Sequence, residues 1–312
     1  MRILVVGAGA TGGYFGGRLA QAGRDVTFLV REKRAEELQR SGLVIRSPRG
    51  DLTLHDVKTV LASQIAQPYD LVLLSCKAYN LDDAIESFAP AVGDTTMILP
   101  VLNGMRHIDV LTQRFGESKV LGGQCVIAAT LSRDRDIVHL NDMHSIGFGE
   151  LRGGISERVR NVATAFDGAG FDSAASDDIL QQMWEKWVFL ATLAASTSLH
   201  RAPIGDILKA PDGRRVIEGI LGECKAVAAA NGYPISEASN ARAQTILFAE
   251  GSPLTASMVR DIEAQSRIEA DHIVGDLIAR GGDAQKDGAL TSLRIAYSHL
   301  KAYEVRLARQ LA

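Results

Sequence analysis

The chain has 312 residues, with 46% hydrophobic and 23% charged side chains. These are the proportions of a globular protein, and at about 150 residues per domain the length suggests two domains. Its 34 basic and 37 acidic residues leave a net charge of −3, so charge gives no general reason to bind nucleic acid or an anionic membrane. The longest apolar stretch, residues 187–195, is too short to cross a bilayer, and the first apolar run leads into glycines and not a signal-peptide cleavage site. Cys76, Cys125 and Cys224 form no CxxC, so a cytoplasmic enzyme without a disulfide framework or a metal site is expected.

Residues 1–175 alternate strand-like and helix-like segments. Aliphatic or β-branched runs at 3–6, 25–30, 71–75 and 95–99 predict strands, and 12–22, 33–40, 81–88 and 106–114 predict the helices between them. Alternation of this kind predicts right-handed βαβ crossovers and a parallel sheet covered on both faces. Runs at 43–47 and 51–57, joined by Pro48-Arg49-Gly50, read as an inserted β-hairpin. Segments 120–130, 136–140 and 145–149 read as further, antiparallel strands before a helix at 156–168. From about residue 177 the pattern becomes helix after helix, at 178–200, 212–231, 237–248, 257–280 and 287–312. Asn231-Gly232-Tyr233-Pro234 and Gly281-Gly282 mark stops among them.

The strongest local signal is Gly7-Ala8-Gly9-Ala10-Thr11-Gly12, which directly follows the first strand and opens the first helix. In that context the first glycine permits a tight turn, the second lets a pyrophosphate approach the backbone, and the third lets helix and strand pack closely. The helix N-terminus adds free N–H groups and partial positive charge; a glycine-rich turn with no ligand is the plain alternative. The second strand ends in Arg31, with Lys33 and Arg34 behind it, where an NAD enzyme usually carries an acid. A guanidinium there suits the 2′-phosphate of NADP, although Glu32 would serve a ribose if the strand ran one residue longer. Lys77 and Asn103 also follow strand ends, where an open α/β sheet keeps its ligand crevice. The expected architecture is therefore α/β, with an N-terminal Rossmann-type NADP-binding domain over 1–175 and an all-α substrate and catalytic domain over 176–312.

In the helical half, the predicted helix 178–200 is apolar nearly all round between Trp187 and Ala195 and should be buried. Lys186 heads that stretch, flanked by Trp184 and Trp187. A lysine there either snorkels to solvent or faces a cavity, where burial lowers its pKa towards a value useful for proton donation. Glu269 lies within 257–280, and spacing does not tell whether it meets Lys186. From the residues alone, both have a structural reading.

Taken together, residues 1–312 resemble the ketopantoate reductase (2-dehydropantoate 2-reductase) family. The carriers are the glycine motif at 7–12, Arg31, Cys76-Lys77-Ala78, Leu102-Asn103-Gly104, Met183-Trp184-Glu185-Lys186, Ser257-Met258 and Glu269-Ala270-Asp271-His272-Ile273-Val274-Gly275. The resemblance implies an NADPH-binding Rossmann domain, then a helical domain related to that of 6-phosphogluconate dehydrogenase. It also implies roles: Lys186 as general acid, Asn103 touching nicotinamide and substrate, Ser257 on the substrate carboxylate, and Glu269 anchoring the cofactor and catalytic site. Ser257 is also readable as a helix N-cap.

The departures concern the substrate. Where the family has asparagines four and eight residues after its lysine, on the same helix face, this chain has Leu190 and Ala194, and a third aligns with Ile204. These side chains make no hydrogen bonds to a substrate hydroxyl or carboxylate; Thr197 and Arg201 are candidates to compensate. The implied substrate is ketopantoate, with a more apolar 2-oxo acid as the alternative and a non-catalytic NADP sensor as a further one. His139 and His144 lack the spacing of a helical metal pair, and no GxSxG elbow or TyrxxxLys pair appears. Assembly is expected to be a two-fold homodimer through the helical half, or a monomer.

Overall fold

The first apolar run of the chain is a buried strand, β1 (Arg2–Val6), and a parallel sheet grows outward from it. The computed structural model describes residues 1–282 and 290–311. After β1 come α1 (Ala10–Gln21), β2 (Asp25–Leu29), α2 (Glu32–Ser41), β3 (Leu43–Arg46), β4 (Leu52–Leu54), β5 (Thr59–Val60), β6 (Leu71–Leu74), α3 (Leu81–Phe88), β7 (Met97–Pro100) and α4 (Arg106–Phe115). The first sheet has the order β5-β2-β1-β6-β7, with every pairing parallel. Ile3, Leu4, Val5, Leu71, Val72, Leu73 and Leu74 are fully buried, as strands covered on both faces must be. Val6 lies opposite Leu29 and Leu74, and Leu74 opposite Pro100, so the carboxyl ends share one edge. The chain leaves β1 towards β2 and later returns to its other side with β6, which puts the switch of direction between β1 and β6.

The second sheet adds β8 (Gly122–Leu131), β9 (Ile137–Gly149) and, after α5 (Glu157–Phe166), β10 (Asp172–Ser176) to the hairpin β3–β4. The expected strands 136–140 and 145–149 are one strand, β9, with a bulge. Ala129 pairs with His139 and Ile127 with His144, leaving residues 140–143 opposite Ala128 alone. Helix α1 is sandwiched between the sheets by its glycines. A methyl on Gly16 would come within 2.7 Å of Phe28 in the first sheet, and one on Gly13 or Gly17 within 2.5 or 2.8 Å of Ile137 or Leu43 in the second.

The chain divides into two units: Met1–Leu102 with His107–Leu180, and Asn103–Arg106 with Gln181–Ala312. The second holds most of α6 (Ile179–His200), then α7 (Ile204–Lys209), α8 (Gly213–Ala230), α9 (Glu237–Leu247), α10 (Ser257–Glu263), α11 (Asp276–Arg280) and α12 (Thr291–Leu311). Trp187 and Val188, then the run from Ala191 to Ser198, are buried, as the apolar girth of α6 requires. The Glu223 carboxylate of α8 accepts from the Ser292 and Leu293 amides at 2.9 and 2.8 Å and so caps the first turn of α12. The expected continuous helix 257–280 is broken. Helix α10 stops at Glu263, Gln265 adopts a left-handed φ of 51°, and the chain restarts as a π-helical turn, Asp271–Gly275, that leads into α11. Glu263 to Arg267 are all exposed, so no buried face carries the helix across them. Of the expected helix 287–312, residues 287–289 and 312 lie outside the described residues. No helix among the described residues is long and apolar enough to cross a membrane.

The bulge in β9 assembles a buried cluster beside α1. His139 and His144 stack with centroids 5.6 Å apart, the Tyr14 hydroxyl meets His144 Nδ1 at 2.7 Å, and Ser47 Oγ meets His139 Nδ1 at 2.9 Å. Burial, then Arg49, holds the His144 imidazole below its ordinary 6.5; Asp172 opposes, and His139 and Arg18 add to the lowering. The unfolded chain takes up this proton near pH 6.5 and the folded chain only at lower pH. The contribution to stability is thus complete above about 6.5 and lost as pH falls through the folded value. Unfolding free energy, measured by denaturant titration across this range, should fall below about pH 6.5, and His144→Gln should flatten that slope. An unchanged slope in the variant would contradict the assignment.

Candidate active site

The glycine turn between β1 and α1 is built for a close approach from outside. Gly7 has a φ of +90°, a conformation that L side chains rarely adopt, and its amide donates to the Leu29 carbonyl at 2.9 Å. A methyl on Gly9 would meet nothing within 4 Å, so that side of the turn is open. A methyl on Gly12 would strike the Ser75 side chain and lie 2.7 Å from the Gly7 carbonyl oxygen, so this glycine brings α1 against the strand ends. Gly9 is the N-cap without a side-chain bond, and the first helical bond runs from the Gly13 amide to the Gly9 carbonyl at 2.8 Å. The amides of Ala10, Thr11 and Gly12 precede that bond. An open glycine, a tight turn and orphan amides at a helix N-terminus fit the pyrophosphate of a dinucleotide. Ala8 is buried, so only its backbone can take part.

Arg31 is the N-cap residue of α2, with a side chain 85% exposed and a guanidinium 3.9 Å from the Asp83 carboxylate. Glu32 is the first residue of α2 and is exposed, as is Lys33. Arg34 is already committed to Glu37 at 3.1 Å, which Arg135 approaches at 3.6 Å. Lys77 caps the short turn after β6 and is half-buried. The charged cluster thus resolves into Arg31 and Lys33 facing solvent at the carboxyl edge, while Arg34 serves the fold.

In the helical unit the structure brings Lys186 and Asn103 together. Half-buried on α6, Lys186 donates from Nζ to Asn103 Oδ1 at 3.0 Å. An ammonium has three donors, and this bond orients the group. The tryptophans that flank Lys186 are buried, with rings 5.0 Å apart, and Trp184 stacks on Tyr233 at 5.6 Å. Trp187 Nε1 donates to the Ile273 carbonyl at 2.9 Å, which ties α6 to the π-helical turn. Burial pushes the Glu185 carboxyl up, but hydrogen bonds from Ser239, Ser236 and Gln181 outweigh it and hold the group below its ordinary value. Glu185 therefore keys α6 to α9.

The other expected residues are placed unevenly. Glu269 is half-buried just before the π-helical turn; its carbonyl accepts from the Ile273 amide at 2.9 Å and its carboxylate favours a proton on His272. Ser257 is not an N-cap: Ala256 holds that place, and Ser257 is the exposed first residue of α10. Leu190, one turn after Lys186, is half-buried, whereas Ala194 is 2% exposed and Ile204 fully buried. Only Leu190 of these three has surface to offer. Thr197 is fully buried, donating to the Leu193 carbonyl at 2.6 Å and accepting from the Ala256 amide at 3.3 Å. It sits about 16 Å along the helix from Lys186 at 1.5 Å per residue. The Arg201 guanidinium lies 5.9 Å over the Tyr303 ring. Both compensating candidates are thus engaged elsewhere.

Two protein-family models divide the chain between them. One described as "Ketopantoate reductase PanE/ApbA" matches residues 3–153, and "Ketopantoate reductase PanE/ApbA C terminal" matches residues 178–304. The Bacillus subtilis (strain 168) protein named "Uncharacterized oxidoreductase YkpB" is 36% identical over 304 residues, 97% of this chain and 99% of its own. The 2-dehydropantoate 2-reductase of Archaeoglobus fulgidus is 28% identical over 289 residues, 93% of this chain and 94% of its own. The crystal structure of 2-dehydropantoate 2-reductase from Methylococcus capsulatus matches with a TM-score of 0.86 and 30% identity, covering 98% of each chain.

Proposed function

Because the chain belongs to the ketopantoate reductase family of oxidoreductases, we propose that it reduces a 2-oxo acid with NADPH, and that ketopantoate, converted to pantoate on the way to pantothenate and coenzyme A, is that acid. The observation that carries the reading is the hydrogen bond from Lys186 Nζ to Asn103 Oδ1, which aims a half-buried proton donor. NADPH, when bound, supplies the hydride that adds to the ketone carbon. As that carbon is reduced, negative charge grows on the carbonyl oxygen. Lys186 donates an N–H to this oxygen and then transfers the proton, while Asn103 holds the ammonium in line. Ser257 offers an exposed hydroxyl to the substrate carboxylate, and Glu269 holds the nicotinamide end of the site.

Towards the cofactor, Gly7, Gly9 and the amides of Ala10 to Gly12 would receive the pyrophosphate and Lys77 would add a cation. Arg31, exposed and paired at 3.9 Å with a screened surface carboxylate, can turn its guanidinium to a 2′-phosphate. A second reading rests on Leu190. A substrate hydroxyl meeting this side chain leaves water without gaining a hydrogen bond, which favours a more apolar 2-oxo acid.

Two measurements test the proposal. Lys186→Ala should lower turnover by about 10²–10⁴-fold and leave NADPH affinity nearly unchanged, and a fully active variant would remove the residue from the mechanism. NADPH oxidation followed side by side with ketopantoate and its analogue lacking the hydroxyl separates the substrates. A preference for ketopantoate above about 10²-fold supports it, and comparable rates support the apolar acid. Tight NADPH binding without turnover of any 2-oxo acid would overturn both in favour of a sensor.

A further inference from the structure

Asn103 is held at two atoms, and only one of the bonds comes from Lys186. The Asn103 carbonyl accepts a hydrogen bond from His272, a residue of the π-helical turn that is 6% exposed. The next residue, Gly104, has a φ of +81° and packs on the same imidazole. A methyl there would come within 2.9 Å of the His272 carbonyl oxygen, 3.0 Å of its Cδ2 and 3.3 Å of its Nε2. The Cδ2–Nε2 edge of the ring therefore faces Gly104, next to the Asn103 carbonyl, which makes Nε2 the nitrogen expected to donate.

A peptide flanked by glycine is soft, because glycine adopts either sign of φ at no steric cost. If the carbonyl of Asn103 were released, the backbone at Asn103 would be free to shift, and the Cα–Cβ bond that carries Oδ1 would shift with it. His272 itself has little freedom. The preceding Asp271 accepts from Tyr297 Oη at 2.5 Å and from Lys301 Nζ at 3.0 Å, and the following Ile273 accepts from Trp187 Nε1 at 2.9 Å. Trp187 is the neighbour of Lys186, so His272 and Lys186 are mounted on one rigid assembly. π-helical turns of this kind are frequent at functional sites.

We propose that His272 is a positioning residue for reduction: through the Asn103 carbonyl it sets the direction in which Asn103 Oδ1 holds the Lys186 ammonium. The inference rests on the reading of Lys186 as proton donor. Burial, first, and Arg106 favour the neutral ring, with Glu269, Asp276 and the Asn103 carbonyl pulling the other way. A neutral ring with Nε2 protonated still donates, so the function needs no titration.

The test compares His272→Gln, which keeps an N–H at a similar reach, with His272→Met, which keeps bulk and loses the donor. His272→Met should lower kcat about tenfold, the scale of one hydrogen bond, with KM for NADPH unchanged, while His272→Gln stays within about twofold of the parent. In a Lys186→Ala background His272→Met should cost nothing further, because a positioning residue acts through the group it positions. Independently of activity, ¹⁵N NMR of the unliganded protein should show a His272 ring protonated at Nε2. Equal kcat in the Gln and Met variants, a further loss on the Lys186→Ala background, or an Nδ1-protonated ring would each overturn the proposal. If Lys186→Ala is fully active, the reading beneath it fails. If Lys186→Ala is impaired and His272→Met is not, the failure belongs to His272 alone.

Discussion

One hydrogen bond, 3.0 Å from Lys186 Nζ to Asn103 Oδ1, joins residues 83 positions apart and sets the geometry of the site. A lysine at the head of a buried helix is costly unless its ammonium finds acceptors, because burial penalises the charged form. Asn103 supplies one acceptor, and that bond removes much of the freedom that makes lysine a loose donor. The flanking tryptophans do the rest: Trp184 stacks on Tyr233 and Trp187 donates to Ile273, so the backbone around Lys186 is held from both sides. A charge in water could rotate to any partner. Here the neutral Asn103 side chain fixes part of its direction.

The Rossmann unit works by a different economy of space. Helix α1 carries glycines at 12, 13, 16 and 17, each worth about 1 kcal/mol against alanine in a helix interior. The gain is approach: a methyl at any of the four would meet side-chain atoms of one sheet or the other. The same closeness that buries Tyr14 and Phe15 also presents the start of α1, with its orphan amides, beside the open face of Gly9. Packing and ligand cradle thus come from one run of small residues.

How much of this was legible depends on how local its cause is. The parallel strands β1, β2, β6 and β7 and the glycine turn follow from runs and spacings within ten residues, and α6 from its apolar girth. Strand β10 was not legible, since Asp-Ser-Ala-Ala-Ser carries no large aliphatic or β-branched residue and four of the five are exposed. Nor was the break at Gln265, where no glycine or proline marks a left-handed turn and only the lack of a buried face stops the helix. The pairing of His139 with His144 needs a bulge that places residues 140–143 opposite one residue of β8. At the site, the residue types at Lys186 and Asn103 stood out, but their meeting did not. His272 was not singled out, because its partner is a backbone carbonyl 169 positions away, between Asn103 and His272.

The most direct test is a double-mutant cycle between Lys186 and Asn103 on kcat/KM for 2-oxo acid reduction. If Asn103 aims the ammonium, the losses from Lys186→Ala and Asn103→Ala overlap, and the double variant should be at least about tenfold more active than the product of the single losses predicts. Losses that simply multiply would show that the two residues act independently and would contradict the account.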